Sequence, residues 1–159
     1  MEWLAWFEET ALSTWVREEP WVFPFILSVH ALGMGLSAGV STAINLRSLG
    51  LAPRVPVELM KRFLPLVWIG FSANTLSGVM LLIGYPAKAL TNWLFYGKLL
   101  FLALGVWTTI RLCRQLGNPS AEANKKLAVA SLLCWAGVIV AGRFLAYTYT
   151  ILLAMWWVE

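Results

Sequence analysis

Long apolar segments alternate with short polar loops along the whole chain, and four of these segments are long enough to cross a bilayer. An α-helix needs about 20 mainly apolar residues to span the hydrocarbon core. The pattern predicts four such helices, at residues 21–45, 63–85, 93–112 and 127–147. Because the connecting segments are short, neighbouring helices are expected to run antiparallel. The fold class expected from this pattern is all-α, an integral membrane four-helix bundle.

Two further segments flank the predicted bundle. Residues 1–19 carry apolar side chains at helical spacing together with five glutamates, which predicts an amphipathic helix lying in the membrane interface. The segment lacks the basic start and the cleavage site of a signal peptide, so it is expected to stay on the protein. The last apolar run is too long for one perpendicular span, and residues 148–159 are expected to form a second interfacial segment.

One face of the first membrane helix carries small residues at every fourth position. These residues, called the small-residue row below, are Ala31, Gly35, Gly39 and Ala43. Such a row lets a second helix backbone approach closely. The neighbouring row is more polar and includes His30, Ser37 and Ser41. Because lipid offers neither close packing nor hydrogen bonds, both rows are expected to lie inside a bundle.

The composition excludes a soluble domain. Of the 159 residues, 60% are hydrophobic and 13% are charged, against about half and about a quarter in soluble domains. The net charge of +4 arises from basic residues gathered in two loops, 46–62 and 111–126, and basic loops of this kind face the cytoplasm. The expected location is the bacterial inner membrane, with both termini periplasmic and the lipid bilayer, rather than nucleic acid, as the partner.

Three ionisable side chains are expected at one depth, in the outer half of the bundle. They are His30, which is the one histidine, Lys98 and Arg143, with Tyr147 near the outer end of the fourth helix. Charged side chains from different helices at one depth are expected to face a shared interior rather than lipid. The alternatives are that Lys98 and Arg143 snorkel to the interface and that His30 only hydrogen-bonds across the bundle.

Such a pocket suits three kinds of ligand chemistry. His30 would ligate the iron of a b-type haem, with Lys98 and Arg143 near its propionates and Tyr147 beside them. A second histidine ligand would then require a symmetric dimer. Alternatively, Lys98 and Arg143 would hold an anionic lipid head or a small acid, with His30 exchanging a proton. Transport is the third possibility, although no inverted repeat is found.

The leading functional expectation is a small electron-transfer component that carries haem b on His30 at the periplasmic face. The competing expectation is a non-catalytic subunit or scaffold of a membrane complex, or a homo-oligomer, that docks through the small-residue row. Binding or transport of a lipid or small acid is the third. No catalytic residue is predicted, because no hydrolytic or phosphate-binding motif occurs in the sequence.

Several short motifs occur in an order that resembles a known family. They are Trp21-x-Phe-Pro24 before His30, then Gly33 and Gly39, Leu46-Arg47-Ser48-Leu49-Gly50, Thr75-x-x-Gly78, residues 92–98, and Gly142-Arg143-x-x-Ala-Tyr147. Their order and spacing resemble an uncharacterised family of small bacterial four-helix membrane proteins. The resemblance implies the same topology and a shared set of His30, Lys98 and Arg143, without naming a reaction.

The chain departs from that family at two positions. Members often carry a glutamate where this chain has Leu27, one turn before His30, and an aspartate where it has Asn45. A proton or metal chemistry that needs either carboxylate is therefore not expected here. The architecture is also loosely similar to four-helix haem-b and copper-resistance membrane domains, which is an analogy of fold alone.

Overall fold

The computed structural model describes residues 6–51, 53–115 and 121–156, and these ranges are almost entirely helical, with no strand. The helices are α1 (Ala11–Glu18), α2 (Val22–Ser48), α3 (Val57–Arg62), α4 (Leu64–Gly84), α5 (Pro86–Leu90), α6 (Trp93–Gln115) and α7 (Ala121–Trp156). Within these ranges, four helical segments are long and apolar enough to cross a membrane: Val22–Ser48, Leu59–Gly84, Trp93–Gln115 and Asn124–Thr148. The expected all-α, four-helix membrane fold is confirmed.

The four long helices form two antiparallel pairs, α2 with α4 and α6 with α7. The pairs meet mainly where α2 contacts α7, whereas α4 and α6 make almost no direct contact. We call the end of the bundle at which α2 begins the upper end and the opposite end the lower end. Both basic loops then lie at the lower end, because each follows a helix that begins at the upper end.

Two facing glycines account for the close packing of α2 against α4. A Cβ atom on Gly33 would lie 2.7 Å from the Gly70 carbonyl oxygen, and one on Gly70 would lie 2.8 Å from the Gly33 carbonyl oxygen. The two backbones therefore touch, and neither position has room for a side chain. Close backbone approach of this kind drives helix association in a solvent as apolar as the helices themselves.

The small-residue row faces away from the rest of the chain, contrary to the expectation that it lies inside the bundle. All four of its residues are exposed, and nothing lies within 4 Å of a Cβ atom placed on Gly35 or Gly39. The neighbouring polar row is the one that turns inward, with Ser37 and Ser41 buried. Adjacent rows of a helix differ by about 100° in direction, so the contact made through Gly33 turns the small-residue row outward.

The N-terminal segment differs from the single helix predicted for residues 1–19. Residues 6–8 are helical, Thr10 is extended, and α1 starts after it. The Thr10 hydroxyl donates a hydrogen bond to the Phe7 carbonyl oxygen at 2.8 Å, which ends the first helical turn. Val16 of α1 is fully buried against Gly84 at the upper end of α4, so α1 packs on the bundle. Residues 1–5 lie outside the described residues.

The last helix also differs from its prediction, which ended it near residue 147 and separated the segment 148–159. α7 instead continues as one helix of 36 residues to Trp156, or about 54 Å at 1.5 Å per residue. No glycine or proline follows Gly142, so nothing in the sequence interrupts the backbone hydrogen bonds. Residues 157–159 lie outside the described residues.

A buried polar network joins the two helix pairs in the lower half of the bundle. Asn45 on α2 donates from Nδ2 to Ser131 Oγ on α7 at 3.0 Å. Trp135 donates from Nε1 to Thr109 Oγ1 on α6 at 3.1 Å, and the Thr109 and Ser131 hydroxyl oxygens are 3.4 Å apart. All four side chains are at most 5% exposed, so the network is sheltered from lipid.

Candidate functional site

His30, Lys98 and Ser77 form a hydrogen-bonded chain in the upper half of the bundle. Lys98 Nζ lies 3.3 Å from His30 Nε2, and His30 Nδ1 lies 3.1 Å from Ser77 Oγ. His30 belongs to α2, Lys98 to α6 and Ser77 to α4. These hydrogen bonds therefore connect one helix pair to the other, between helices that make few other contacts.

The partners of the imidazole determine which of its nitrogens carries the proton. An ammonium group has only donors, so with Lys98 protonated the lysine donates and His30 Nε2 accepts. The proton of the neutral ring is then on Nδ1, which donates to Ser77 Oγ, and the Ser77 hydroxyl donates in turn to the Ala73 carbonyl oxygen at 2.6 Å. Both nitrogens of His30 are thereby engaged within the protein.

The site lies below the upper end of the bundle, inside the membrane-spanning segments. Counted from the upper ends of their helices, Lys98, Ser77 and His30 lie about 8 to 12 Å deep at 1.5 Å rise per residue. The Lys98 ammonium is directed to His30 rather than to the interface. Snorkelling, which the sequence left open for Lys98, is not the arrangement that the structure has.

Gly78 and Gly142 make room for the side chains of His30 and Lys98 respectively. A Cβ atom on Gly78 would lie 3.2 Å from His30 Cε1, which is closer than an ordinary van der Waals contact. A Cβ atom on Gly142 would lie 3.7 Å from Lys98 Cε, which is an ordinary contact. Gly78 therefore limits the position of the imidazole ring, whereas Gly142 offers a surface along which the lysine stem lies.

Lys98 has no carboxylate partner in the described part of the chain. The one ion pair found there joins Arg17 to Glu8 at 3.8 Å, near α1. The ammonium has three N–H donors, and among the described residues only His30 accepts a hydrogen bond from it. The site thus combines an unneutralised positive charge with donors that have no acceptor in the ranges the structure describes.

Arg143 and Tyr147, which were expected in the same pocket, are not brought to it. Both are exposed on α7, Tyr147 to 56%. Because Gly142 faces Lys98, the next residue along the helix points about 100° away, which directs Arg143 to the lipid-facing surface. Of the expected set, the structure therefore brings together only His30 and Lys98.

Sequence reasoning missed Ser77 as a partner of the site. It lies with Asn74 in a polar stretch of the second apolar run, and both side chains are buried, to 5% and 4% exposure. The available signal was the presence of polar residues in the middle of a membrane-spanning segment, where lipid offers them no hydrogen-bond partner. The lower network around Asn45 was missed in the same way.

Comparison of the chain with protein-family models, curated proteins and solved structures found no match. The resemblance to the small four-helix family therefore stays a prediction. The site must be interpreted from its own chemistry.

The residues around His30 do not fit a haem iron in this arrangement. An axial ligand offers iron a free imidazole lone pair, but His30 Nε2 lies 3.3 Å from Lys98 Nζ and Nδ1 lies 3.1 Å from Ser77 Oγ, so both ring nitrogens already have partners. Arg143 and Tyr147 are exposed on α7 and have no recorded contact with His30 or Lys98. Within the described ranges, no cluster of three or more histidine, cysteine or acidic side chains could hold a metal ion. Haem b stays a prediction that this geometry does not favour.

Proposed function

We propose that the protein binds an anionic group, a carboxylate or a phosphate, at Lys98. One observation carries the proposal: an ammonium inside a membrane-spanning helix is hydrogen-bonded to a neutral imidazole and has no described carboxylate partner. A charge in an apolar medium costs free energy unless it is paired. A bound anion would pair that charge and accept the donors left over by His30.

His30 and Ser77 would position the ammonium for such a ligand. Because Ser77 accepts from Nδ1, the imidazole ring is held with its Nε2 lone pair directed at Lys98. A neutral partner orients the ammonium and leaves its positive charge in place, whereas a carboxylate in the same position would neutralise that charge. The attraction for an anion is therefore retained.

The proposed orientation places the site in the outer half of the bacterial inner membrane, with both chain ends periplasmic. Its support is the distribution of charge: the loops at the lower end hold most of the basic residues, and basic loops remain in the cytoplasm. These residues are Arg47, Arg54, Lys61, Arg62, Arg111, Arg114, Lys125 and Lys126. An anionic group that enters from the outer leaflet would then be within reach of Lys98.

The test removes one cation at a time. Lys98→Met deletes the cation of the site, and Arg143→Met deletes an exposed cation of the upper half as the matched control. Binding of octanoate, and separately of phosphatidylglycerol, is measured by native mass spectrometry of the purified protein. A charge-assisted hydrogen bond is worth about 1.5 to 3 kcal/mol, so Lys98→Met should weaken binding about ten- to a hundredfold.

The control should change the affinity less than about twofold, because Arg143 does not reach the site. Equal losses in the two variants would mean that the anion is attracted by general surface charge, and would overturn the proposal. Absence of any binding to the wild-type protein would overturn it as well.

A second candidate function is self-association through the small-residue row, as a scaffold or homo-oligomer. One observation favours it: Gly35 and Gly39 have nothing within 4 Å, whereas Gly33 and Gly70 are in backbone contact. A groove continues the row toward the lower end, lined by Gly39, Val40, Ala43, Met60 and Phe63. We infer that α2 of a second copy is the occupant, since identical small faces can pack symmetrically.

Self-association is tested by adding bulk to the row. Gly35→Leu combined with Gly39→Leu should convert a dimer to a monomer, measured by energy transfer between labelled copies in lipid vesicles. Ala103→Leu, at an exposed position of α6, adds the same kind of bulk elsewhere and should leave the dimer intact. A wild-type protein that is monomeric at high density in vesicles would rule this candidate out.

A further inference from the structure

A cleft opens on the side of the bundle where α4 and α6 fail to meet. Its lining is almost wholly apolar and comes from both helices: Leu64, Val67, Trp68, Phe71, Val106, Thr109, Ile110 and Cys113. Thr109 contributes little polarity, because its hydroxyl already donates to the Gly105 carbonyl oxygen and accepts from Trp135. The cleft therefore offers an apolar surface.

The cleft and Lys98 share one side of α6. At 100° per residue, Val106, Thr109 and Cys113 lie within about 80° of Lys98 around the helix axis. Along the axis, Val106 is about 12 Å and Cys113 about 22 Å below Lys98. The α6 lining of the cleft therefore begins about 12 Å below the cation, and a ligand that reaches both must extend at least that far along the helix.

We propose that the ligand of Lys98 is a long-chain fatty acid, with its carboxylate on the ammonium and its acyl chain lying along the open face of the α4–α6 cleft. This inference rests on the anion binding proposed above. A cation without a described carboxylate partner at the upper end and an apolar cleft below it match the two parts of such a molecule. The head supplies the missing negative charge, and the chain covers the apolar lining.

The depth of the site favours a carboxylate over a phospholipid phosphate. The ammonium bonds to His30 about 8 to 12 Å below the helix ends. A phosphodiester remains at the level of the head groups, outside the hydrocarbon core. A fatty-acid carboxylate is smaller than a phosphodiester and carries no further polar head group, so it can follow the lysine inward.

The first experiment varies the length of the acid. Palmitate and butyrate carry the same head group, so an anion site alone binds both. The cleft adds binding free energy only for the long chain, which buries apolar surface there. Native mass spectrometry of the wild-type protein should give at least a tenfold preference for palmitate at equal free concentrations. Lys98→Met should weaken both acids.

The second experiment fills the cleft. Val106→Trp places a large ring between α4 and α6, and Leu104→Trp places the same ring on the opposite, exposed side of α6, where Leu104 is 41% exposed. Val106→Trp should abolish the preference for palmitate while leaving butyrate binding unchanged. Leu104→Trp should alter neither.

A chemical probe then locates the chain directly. Cys113 lines the cleft, so in a Cys134→Ser background its alkylation by a maleimide should be slowed at least threefold by palmitate and not by butyrate. Protection by neither acid would place the chain elsewhere and overturn the assignment of the cleft.

The remaining outcomes separate the two proposals. Equal binding of palmitate and butyrate, both lost in Lys98→Met, would overturn the fatty-acid inference and leave the anion site standing. Palmitate binding that is unchanged in Lys98→Met would overturn both. Loss of the palmitate preference in Leu104→Trp as well as Val106→Trp would also remove the cleft from the explanation.

Discussion

His30 is confined on three sides, and this confinement is what gives the single histidine a defined role. Lys98 donates to one nitrogen, Ser77 accepts from the other, and Gly78 lies against the carbon between them. A ring so placed cannot turn over without breaking two hydrogen bonds. Its orientation is therefore a property of the packed bundle.

A methyl group at residue 78 should disturb that orientation. In Gly78→Ala the new Cβ would meet His30 Cε1 at 3.2 Å, so the ring must move by a few tenths of an ångström and both hydrogen bonds should weaken. Solid-state NMR of the imidazole nitrogens in lipid should show both ¹⁵N shifts changed, and assignment is direct because the sequence has one histidine.

Gly142→Ala is the matched control for this change. Its Cβ would stand 3.7 Å from Lys98 Cε, an ordinary contact, so the imidazole shifts should remain those of the wild type. A Gly78→Ala spectrum identical to that of the wild type would contradict the confinement described above.

For individual residues, the sequence predicts the depth of a side chain in the membrane but not the direction in which it points around its helix. Counting along the predicted spans places His30, Lys98 and Arg143 in the same half of the membrane. Depth does not say which side chains face one another, and a step of one residue from Gly142 is enough to direct Arg143 outward. Ser77 needed knowledge of which face of α4 meets α2, and that contact is long-range.

Two different kinds of contact hold the helices together. Within the α2–α4 pair, Gly33 and Gly70 bring the backbones into contact. Between the pairs, a buried apolar cluster that includes Ile44 of α2, Leu112 of α6 and Ala128 of α7 packs in the lower half. The hydrogen bonds of Asn45 to Ser131 and of Lys98 to His30 also cross between the pairs. Apolar packing and polar side chains therefore both hold one pair against the other.

The bond between Asn45 and Ser131 should be measurable as a coupling energy. In a double-mutant cycle of Asn45→Ala and Ser131→Ala, the two changes should be non-additive by about 0.6 kcal/mol, the average that such cycles give for hydrogen bonds between membrane helices. The free energy of unfolding is measured by steric trapping in bicelles.

Thr108 provides the control for that cycle. Its hydroxyl donates only to carbonyl oxygens of its own helix, those of Leu104 and Gly105. Thr108→Ala should therefore add to Asn45→Ala without coupling. Additivity of Asn45→Ala with Ser131→Ala would mean that the bond contributes nothing to the contact between the pairs.

The helices were predictable as elements, and their facing sides were not. Apolar length and loop composition are local properties, which is why four spanning segments emerge from the sequence. The small-residue row and the polar row of α2 are equally suited to a bundle interior. Which of them faces inward is determined by the contact of α2 with Gly70 on α4. The end of α7 was misjudged because the expected break rested on bilayer thickness, whereas the backbone has no residue that interrupts it.

The molecule as a whole is two helix pairs joined along one edge and open along the other. The joined edge is the contact of α2 with α7, and the open edge is the cleft between α4 and α6. The Lys98–His30 bond spans the gap near the upper end. Whatever occupies the open edge is therefore in a position to alter the spacing of the pairs.

The orientation of the whole molecule can be tested with one reagent. In a background with Cys113 and Cys134 replaced by serine, a membrane-impermeant maleimide should label Trp21→Cys in intact spheroplasts and label Arg54→Cys only after lysis. Trp21 is 84% exposed at the upper end, and Arg54 is exposed in the lower loop. The reverse pattern would place the Lys98 site in the cytoplasmic half.

The pairing of consecutive helices also determines the order in which the fold can be assembled during synthesis. α4 is the next spanning helix after α2, and α7 the next after α6, so each pair is complete as soon as its second member enters the membrane. Two helical hairpins can thus form one after the other during insertion, because each helix pairs with the next spanning helix in the sequence. The joining of the hairpins comes last, and only at that moment does Lys98 reach His30.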